Sequence, residues 1–317
     1  MRKFIQFIAV IVCLTMMLSI LTACSSGEST QNENIVMFTD ALGREVTVSK
    51  EPQRVATLIG SFADVWMLSG GSVCATAADA WEDFGLELPN AVNIGGAHSP
   101  NLELIFSANP DFVIASASTS SNVEMLETLE TAGITVAYFD VDNFEDYLAM
   151  LNICTDITGR KDLYKRNGLE LQSQIETIKR EMSEQPLTEE QKTVLLLRAH
   201  SGSVKAKGSE GTILGEMLAD LGCINIADSD TSLLEALSVE SIIRQEPYRI
   251  FVVTMGNDTQ KAMDNFYQMM EENPAWGTLA AVTDGRVHIM DRKLFNIKPN
   301  ADWAESYEKL SKILRTE

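Results

Sequence analysis

The sequence predicts an α/β protein in which two Rossmann-like α/β lobes are joined by one long backbone helix. Three observations support this prediction. Short apolar segments alternate with helical ones, as in parallel sheets covered by helices. One segment type occurs twice, as LELIFSANPDFVIAS from Leu102 and as VESIIRQEPYRIFVVT from Val239. A charged stretch without proline, from Asp162 to Glu184, lies between the two copies.

The N-terminus predicts export rather than a folded element. Arg2 and Lys3 precede an almost wholly apolar run, and small residues follow it, which is the pattern of a signal peptide over residues 1–23. The ending Leu-Thr-Ala-Cys resembles the bacterial lipobox, and this resemblance implies a diacylglyceryl group on Cys24. The polar residues 24–35 predict a flexible tether. We therefore expect a protein anchored by lipid to the extracytoplasmic face of the cell membrane.

The segments after the tether predict the first lobe over residues 36–160. FTDALGREVTV alternates and turns at Leu42-Gly43, which predicts a hairpin. Short strands then follow, with helical segments between several of them: RVATLI, VCATAA, AVNIGG, DFVIAS and TVAYFD. The second lobe, over residues 186–317, begins again with the strand KTVLLLRAH and the helix TILGEMLADLGC, and later has the strands YRIFVVT and RVHIMD.

The segment between the lobes, residues 161–185, predicts a single rod. Its leucines and isoleucines form one apolar stripe with charges elsewhere, which is typical of an amphipathic helix. A helix of about 22 residues is roughly 33 Å long. Because a helical connector is stiff, we expect the lobes to close on a ligand by small movements and not by a wide hinge.

Charge and cysteine content exclude several classes of function. Asp and Glu number 45 against 25 Lys and Arg, so the formal charge of −20 argues against a nucleic-acid partner. The sequence has no CxxC pair, and Cys74, Cys154 and Cys223 are interpreted as small buried hydrophobes. Catalytic motifs such as G-x-S-x-G and H-E-x-x-H are absent, so an enzyme is a remote alternative. Three scattered histidines make a zinc or manganese carrier equally remote.

The predicted strand ends indicate where a ligand binds, because open parallel sheets bind ligands beyond the carboxyl ends of their strands. The candidate ligand-binding residues on or near these loops are Ser61, Trp81, His98, Arg198, His200, Lys205, Lys207 and Met255. The cationic ones among them suit an anionic ligand. At His98, we expect Ser99 to cap a helix whose first residue is Pro100, with His98 on the side of the cleft.

Read in order, these motifs resemble one protein family. The lipobox, TDALGREVTV…PQRVATL, SPNLELIFSANPDFVIAS, a long helix and NPAWGTLAAVTDGRVHIMD are similar to the helical-backbone substrate-binding proteins of ABC importers for ferric siderophores, haem and cobalamin. The resemblance covers about Phe38 to Leu314. It implies a monomer without an intrinsic cofactor, which captures an iron chelate and delivers it to a permease dimer with its ATPase.

The resemblance also implies roles for particular residues. Haem is the favoured ligand, with His98 and Met255 as axial ligands of its iron, a pair that haem accepts. Family members that bind haem place a methionine before Ser-Pro and a histidine in the other lobe, so this sequence exchanges the two. A ferric siderophore or cobalamin is the alternative. Glu103 and Glu240, each seven residues before a proline, correspond to the exposed glutamates that meet arginines of the permease.

Overall fold

The structure, a computed structural model, describes residues 34–256 and 258–316. The predicted signal peptide, Cys24 and the tether up to residue 33 lie outside the described residues. The described chain opens with the predicted hairpin, formed by the antiparallel strands β1 (Ile35–Thr39) and β2 (Glu45–Ser49). Its turn is held by Asp40, whose Oδ1 accepts hydrogen bonds from the backbone N–H groups of Leu42 and Arg44, both at 3.0 Å.

The first lobe is a five-stranded parallel sheet covered by helices. Its strands run in the order β5 (Val92–Asn93), β4 (Val73–Thr76), β3 (Val55–Thr57), β8 (Phe112–Ser116) and β9 (Thr135–Phe139). Every residue of β3 and β8 is buried, as expected for strands covered on both faces. In chain order its elements are β3 (Val55–Thr57), α1 (Gly60–Leu68), β4 (Val73–Thr76), α2 (Asp79–Glu82), β5 (Val92–Asn93), β6 (Gly95–Gly96), β7 (Ser99–Pro100), α3 (Leu102–Ser107), β8 (Phe112–Ser116), α4 (Ser120–Val123), α5 (Leu126–Thr131), β9 (Thr135–Phe139) and α6 (Phe144–Thr158).

The backbone helix contains a π-helical turn that the sequence did not predict. It consists of α7 (Lys161–Tyr164), the π-helical turn Lys165–Leu169 and α8 (Glu170–Glu184). At this turn the carbonyl of Asn167 accepts a hydrogen bond of 2.7 Å from the Tyr147 hydroxyl, and Asn167 Nδ2 donates to the carbonyl of Leu68 at 2.7 Å. The helix is thus fastened to the first lobe where its hydrogen-bond ladder is irregular.

The second lobe is a mixed sheet, because one strand runs against the others. Strand β10 (Thr193–His200) pairs in parallel with β12 (Ile224–Asn225) and β13 (Arg249–Thr254) but antiparallel with β11 (Ser203–Lys207). The elements in chain order are β10 (Thr193–His200), β11 (Ser203–Lys207), α9 (Ile213–Asp220), β12 (Ile224–Asn225), α10 (Ile226–Ser229), α11 (Ser232–Glu235), α12 (Val239–Gln245), β13 (Arg249–Thr254), α13 (Thr259–Glu272), a 3-10 turn (Pro274–Thr278), α14 (Ala280–Thr283), β14 (Val287–Ile289), α15 (Arg292–Phe295), a 3-10 turn (Asn300–Asp302) and α16 (Trp303–Arg315).

The two copies of the repeated segment have the same geometry at their helix starts. Helix α3 is capped by Asn101, whose Oδ1 accepts from the N–H of Glu103 at 2.9 Å, and α12 is capped by Ser238. The prediction of Ser99 as cap is wrong, because Ser99 and Pro100 pair antiparallel with two glycines as strand β7. Glu103 and Glu240 consequently occupy the second position of equivalent helices.

The ends of the repeated segment also match. Asn109 and Glu246 have positive φ angles of 48° and 42°, and each stands immediately before the proline that leads into a buried strand. Few residues other than glycine adopt this conformation. The two helix–strand units therefore share the same left-handed turn before the proline.

A segment of the second lobe, residues 291–302, crosses to the first lobe and is called the strap below. Arg292 donates two hydrogen bonds to the carboxylate of Asp83, and its Nη2 lies 2.9 Å from Oδ2. Asn300 Nδ2 donates to the carbonyl of Ser61 and to Asp64 Oδ2, both at 2.9 Å. The strap thus joins the lobes independently of the backbone helix. Within the described ranges no helix is long and apolar enough to cross a membrane.

Candidate ligand-binding cleft

Four predicted binding residues lie together on the hairpin of β10 and β11. Arg198 is directly opposite Lys205 in the antiparallel register, and Lys207 follows two residues later. Opposite residues share a face, and so do residues two apart, so these side chains and that of His200 occupy one face of the hairpin. This set, Arg198, His200, Lys205 and Lys207, is called the cationic face below. A cavity of about 510 Å³ is lined by the whole cationic face and the turn at 201–203.

The cationic face has little counter-charge. Arg198 Nε is buried without a hydrogen-bond partner, and Arg198 forms no salt bridge within residues 34–256 and 258–316. Burial lowers the pKa of Arg198, and the Asp142 carboxylate opposes this shift. Burial and then the neighbouring cations lower the pKa of His200 and of Lys207. An anion placed here would relieve this mutual repulsion.

A second cavity, of about 740 Å³, adjoins the first because Arg198 and Lys207 line both. Its other walls come from the loop 208–212, from Glu216 and from the short helices α10 and α11. Glu216 Oε1 accepts a hydrogen bond of 3.2 Å from the N–H of Gly211, and burial raises its pKa. Arg198 therefore lines both cavities, and Glu216 contributes a carboxylate to the lining of the larger one.

Met255 lies directly after β13, at the edge where the cationic face ends. Its N–H donates to the carbonyl of Ala199 at 2.9 Å. Its Sδ accepts a hydrogen bond of 3.1 Å from Nδ2 of Asn296, which also donates to the carbonyl of Thr254 at 2.9 Å. The thioether is therefore held in place by the strap.

The predicted residues of the first lobe are less clearly grouped. His98 is exposed on the two-residue turn between β6 and β7. Ser61 is only 5% exposed and lies in the first turn of α1, so its loop position was predicted wrongly. Trp81 is half-buried in α2. The structure thus brings four of the eight predicted binding residues onto one surface and leaves the iron-ligand role of His98 and Met255 a prediction.

Asn296 and Lys298 are not among the binding residues that the sequence predicts. Both lie in the strap, and Lys298 is half-buried with its ammonium 6.0 Å from the centroid of the Phe62 ring. The only signal was a lysine between an isoleucine and a proline, shortly after the last strand. That pattern lacks helical or strand periodicity, so it does not indicate a binding role for the lysine.

The remaining predictions concern exposed carboxylates and thiols. Glu103 and Glu240 are both exposed, one on each lobe. Cys154 and Cys223 are buried as predicted, whereas Cys74 is half-buried because it lies at the start of β4. The part of the chain that the structure describes contains no group of three or more His, Cys, Asp or Glu side chains that could hold a metal ion.

Known proteins match this architecture along most of the chain. A family model described as periplasmic binding protein matches residues 55–294, which include both copies of the repeat. The chain belongs to the periplasmic binding protein family. This membership confirms the resemblance inferred from the order of motifs, and it identifies the chain as a binding protein and not an enzyme.

Individual relatives cover nearly the whole chain. The putative ABC transporter substrate-binding lipoprotein YhfQ of Bacillus subtilis is 24% identical, over 93% of this chain and 94% of the relative. The Fe(3+)-citrate-binding protein YfmC of the same organism is 27% identical, over 90% of each. Staphylococcus aureus IsdE, solved in complex with heme, is 16% identical with a TM-score of 0.67, over 83% of this chain and 99% of IsdE. The likeness to IsdE supports the two-lobed α/β fold.

Proposed function

We propose that this protein captures an anionic ferric chelate outside the cell and delivers it to the permease of an ABC importer. The cationic face is the observation that carries the proposal. A chain of formal charge −20 concentrates Arg198, Lys205 and Lys207 on one hairpin beside a cavity, and leaves Arg198 without a carboxylate partner among the described residues. Charge-assisted hydrogen bonds from such groups bind carboxylates strongly. The relationship to YfmC, named as a Fe(3+)-citrate-binding protein, supports a carboxylate chelate.

Haem is the second candidate, because it carries two propionates and an iron that takes axial ligands. His98 is exposed on a turn of the first lobe, and Met255 follows a parallel strand of the second. In this proposal His98 Nε2 or Nδ1 and Met255 Sδ bind the iron, and the cationic face binds the propionates. Ligation by Met255 requires that its sulfur give up the hydrogen bond from Asn296.

Anchoring and docking complete the proposed cycle. Cys24 carries the lipid that holds the protein at the membrane. Glu103 and Glu240 meet cationic residues of the permease, one glutamate per lobe. Both lie exposed at the second position of equivalent helices, so the duplication presents two similar charges to a permease dimer. Rim charges of this kind steer association and set its register more than they add affinity.

The test of ligand class is a titration of the purified protein with ferric citrate, hemin, a ferric trihydroxamate and cobalamin, followed by tryptophan fluorescence. We expect ferric citrate to bind and Arg198→Gln to weaken it by about 10- to 100-fold, the value of one or two hydrogen bonds to a charged group. Arg160→Gln is the control, since Arg160 is exposed and paired with Asp162. If no iron chelate binds, the proposed function is wrong.

The haem candidate and the docking role have separate tests. A Soret band with hemin that shifts in His98→Ala and in Met255→Ala would favour haem, and an unchanged spectrum would exclude this pair as ligands. For docking, Glu103→Arg combined with Glu240→Arg should abolish chelate uptake by cells and leave binding in solution unchanged. Loss of binding in solution would instead place these glutamates at the ligand.

A further inference from the structure

Lys298 of the strap lies between two asparagines whose side chains are hydrogen-bonded to opposite lobes. Two residues before Lys298, Asn296 is hydrogen-bonded to the second lobe through the carbonyl of Thr254 and the sulfur of Met255. Two residues after it, Asn300 is bonded to the first lobe through the carbonyl of Ser61. Lys298 therefore lies where the chain passes from one lobe to the other, beside residues at the carboxyl ends of both sheets.

The ammonium of Lys298 lacks an anionic partner. No salt bridge of the described residues includes it, and neither does any hydrogen bond. Its ammonium lies 6.0 Å from the centroid of the Phe62 ring, and a cation–π contact at that distance only partly replaces lost hydration. By contrast, Lys293 of the same strap is paired with Asp302 at 3.0 Å. The strap thus pairs one of its two lysines and leaves the other free.

The electrostatic surroundings of Lys298 connect it to the cationic face. Burial lowers its pKa, while Asp142, then Asp140 and Asp146, act in the opposite direction from beyond salt-bridge distance. Asp142 is also the carboxylate whose field acts on Arg198. Both cations therefore lie within electrostatic reach of one first-lobe aspartate, which is too distant to pair with either of them.

We propose that Lys298 is a specificity-determining residue, whose ammonium binds a carboxylate of the ferric chelate and selects polyanionic chelates over neutral or cationic ones. This inference rests on the proposed function. Arg198 holds the chelate from the second lobe, and Lys298 holds it from the floor between the lobes. A chelate with several carboxylates satisfies both cations at once, whereas a ferric trihydroxamate offers neither of them an anion.

A purely structural role for Lys298 has the opposite consequence for stability. A structural lysine is paired, and its removal destabilises the fold. An unpaired, half-buried cation is a cost to the empty protein, so its replacement by methionine should leave the melting temperature unchanged or raise it. Lys298→Met is therefore expected to weaken binding without lowering the melting temperature.

The experiment compares Lys298→Met, Lys298→Arg and the control Lys293→Met by titration with ferric citrate and with ferrioxamine, a cationic ferric trihydroxamate. We expect Lys298→Met to weaken ferric citrate by about tenfold or more, with a melting temperature no lower than that of the unaltered protein. Lys298→Arg should retain most of the affinity. Lys293→Met, which removes the same charge from the same strap, should change the affinity less than about twofold.

Three results would overturn the inference. The first is an affinity of Lys298→Met for ferric citrate within twofold of that of the unaltered protein. The second is a lower melting temperature of Lys298→Met together with equal losses of affinity for every ligand, and the third is a preference of the unaltered protein for ferrioxamine. The first two results leave the proposed function intact, because the chain still binds ferric citrate. A preference for ferrioxamine would contradict the anionic ligand of the proposed function as well. Failure of the unaltered protein to bind any iron chelate would instead overturn the proposed function as well.

Discussion

The ion pair between Arg292 and Asp83 allows a quantitative test of how the strap joins the lobes. The two residues are 209 positions apart in the chain, and the pair has two hydrogen bonds. Their side chains are only 20% and 19% exposed. We consider the variants Asp83→Asn and Arg292→Met, which keep approximate size and remove one charge each, and the double variant.

The expected coupling energy follows from this partial burial. Fully exposed pairs contribute about 0.2–1 kcal/mol, and breaking a buried pair costs about 3–5 kcal/mol. Since about four fifths of each side chain is covered, we expect a coupling free energy of about 1–3 kcal/mol. Asp83→Asn alone should lower the free energy of unfolding by an amount similar to this coupling energy, because Arg292 Nε is already buried without a partner.

The assay is urea unfolding of the four proteins in the double-mutant cycle. The strap's second pair, Lys293 with Asp302, is the matched control: it is 48% and 34% exposed, and we expect its coupling to stay below about 1 kcal/mol. A coupling energy below about 0.3 kcal/mol for Arg292 and Asp83, or a larger value for the control pair, would refute the conclusion that the strap fastens the lobes together.

Three further predictions concern groups that the fold depends on. Arg249→Met should lower the free energy of unfolding by about 3 kcal/mol or more, because the buried guanidinium donates three hydrogen bonds, two of them to carbonyls at the C-terminal end of α16. Gly60→Ala should cost more than about 2 kcal/mol, since a Cβ would lie 2.3 Å from the N of Ala80, whereas at Gly277 a Cβ has nothing within 4 Å. Burial raises the pKa of Asp79, so Asp79→Asn should become more stable relative to the unaltered protein as pH rises above 3.8.

Urea unfolding at pH 7 checks the first two predictions, and the same measurement at a series of pH values checks the third. The sign for Asp79 follows from proton linkage: a raised folded-state pKa means that the unfolded chain releases its proton first, so stability falls as pH rises through that range. Equal costs at Gly60 and Gly277, an Arg249→Met variant of normal stability, or a pH-independent difference for Asp79→Asn would each contradict the packing described here.

The repeated elements were predictable because their signals are local. Apolar strands, the proline seven residues after each glutamate, and the long amphipathic stretch identify the two lobes and the backbone helix without any tertiary information. The cap at Asn101 was missed because Ser99-Pro100 is an equally good helix start in isolation. Only the pairing of Ser99 and Pro100 with the glycines of β6, a contact across a turn, decides between them.

The unpredicted features depend on contacts between distant parts of the chain. Strand β11 is short and carries two lysines, so its apolar pattern is weak, and its antiparallel pairing with β10 is what places Lys205 opposite Arg198. The sequence of the strap shows neither helical nor strand periodicity. Its role comes from Arg292 and Asn300, whose partners lie more than 200 residues earlier in the sequence.

The central claim, that the cationic face holds an anionic ferric chelate between the lobes, is tested most directly by an anomalous difference map at the iron edge from crystals grown with ferric citrate. We expect one iron peak between the lobes, with chelate carboxylate oxygens within hydrogen-bond distance of the Arg198 guanidinium. An iron peak remote from Arg198, with the cationic face free of chelate, would contradict it.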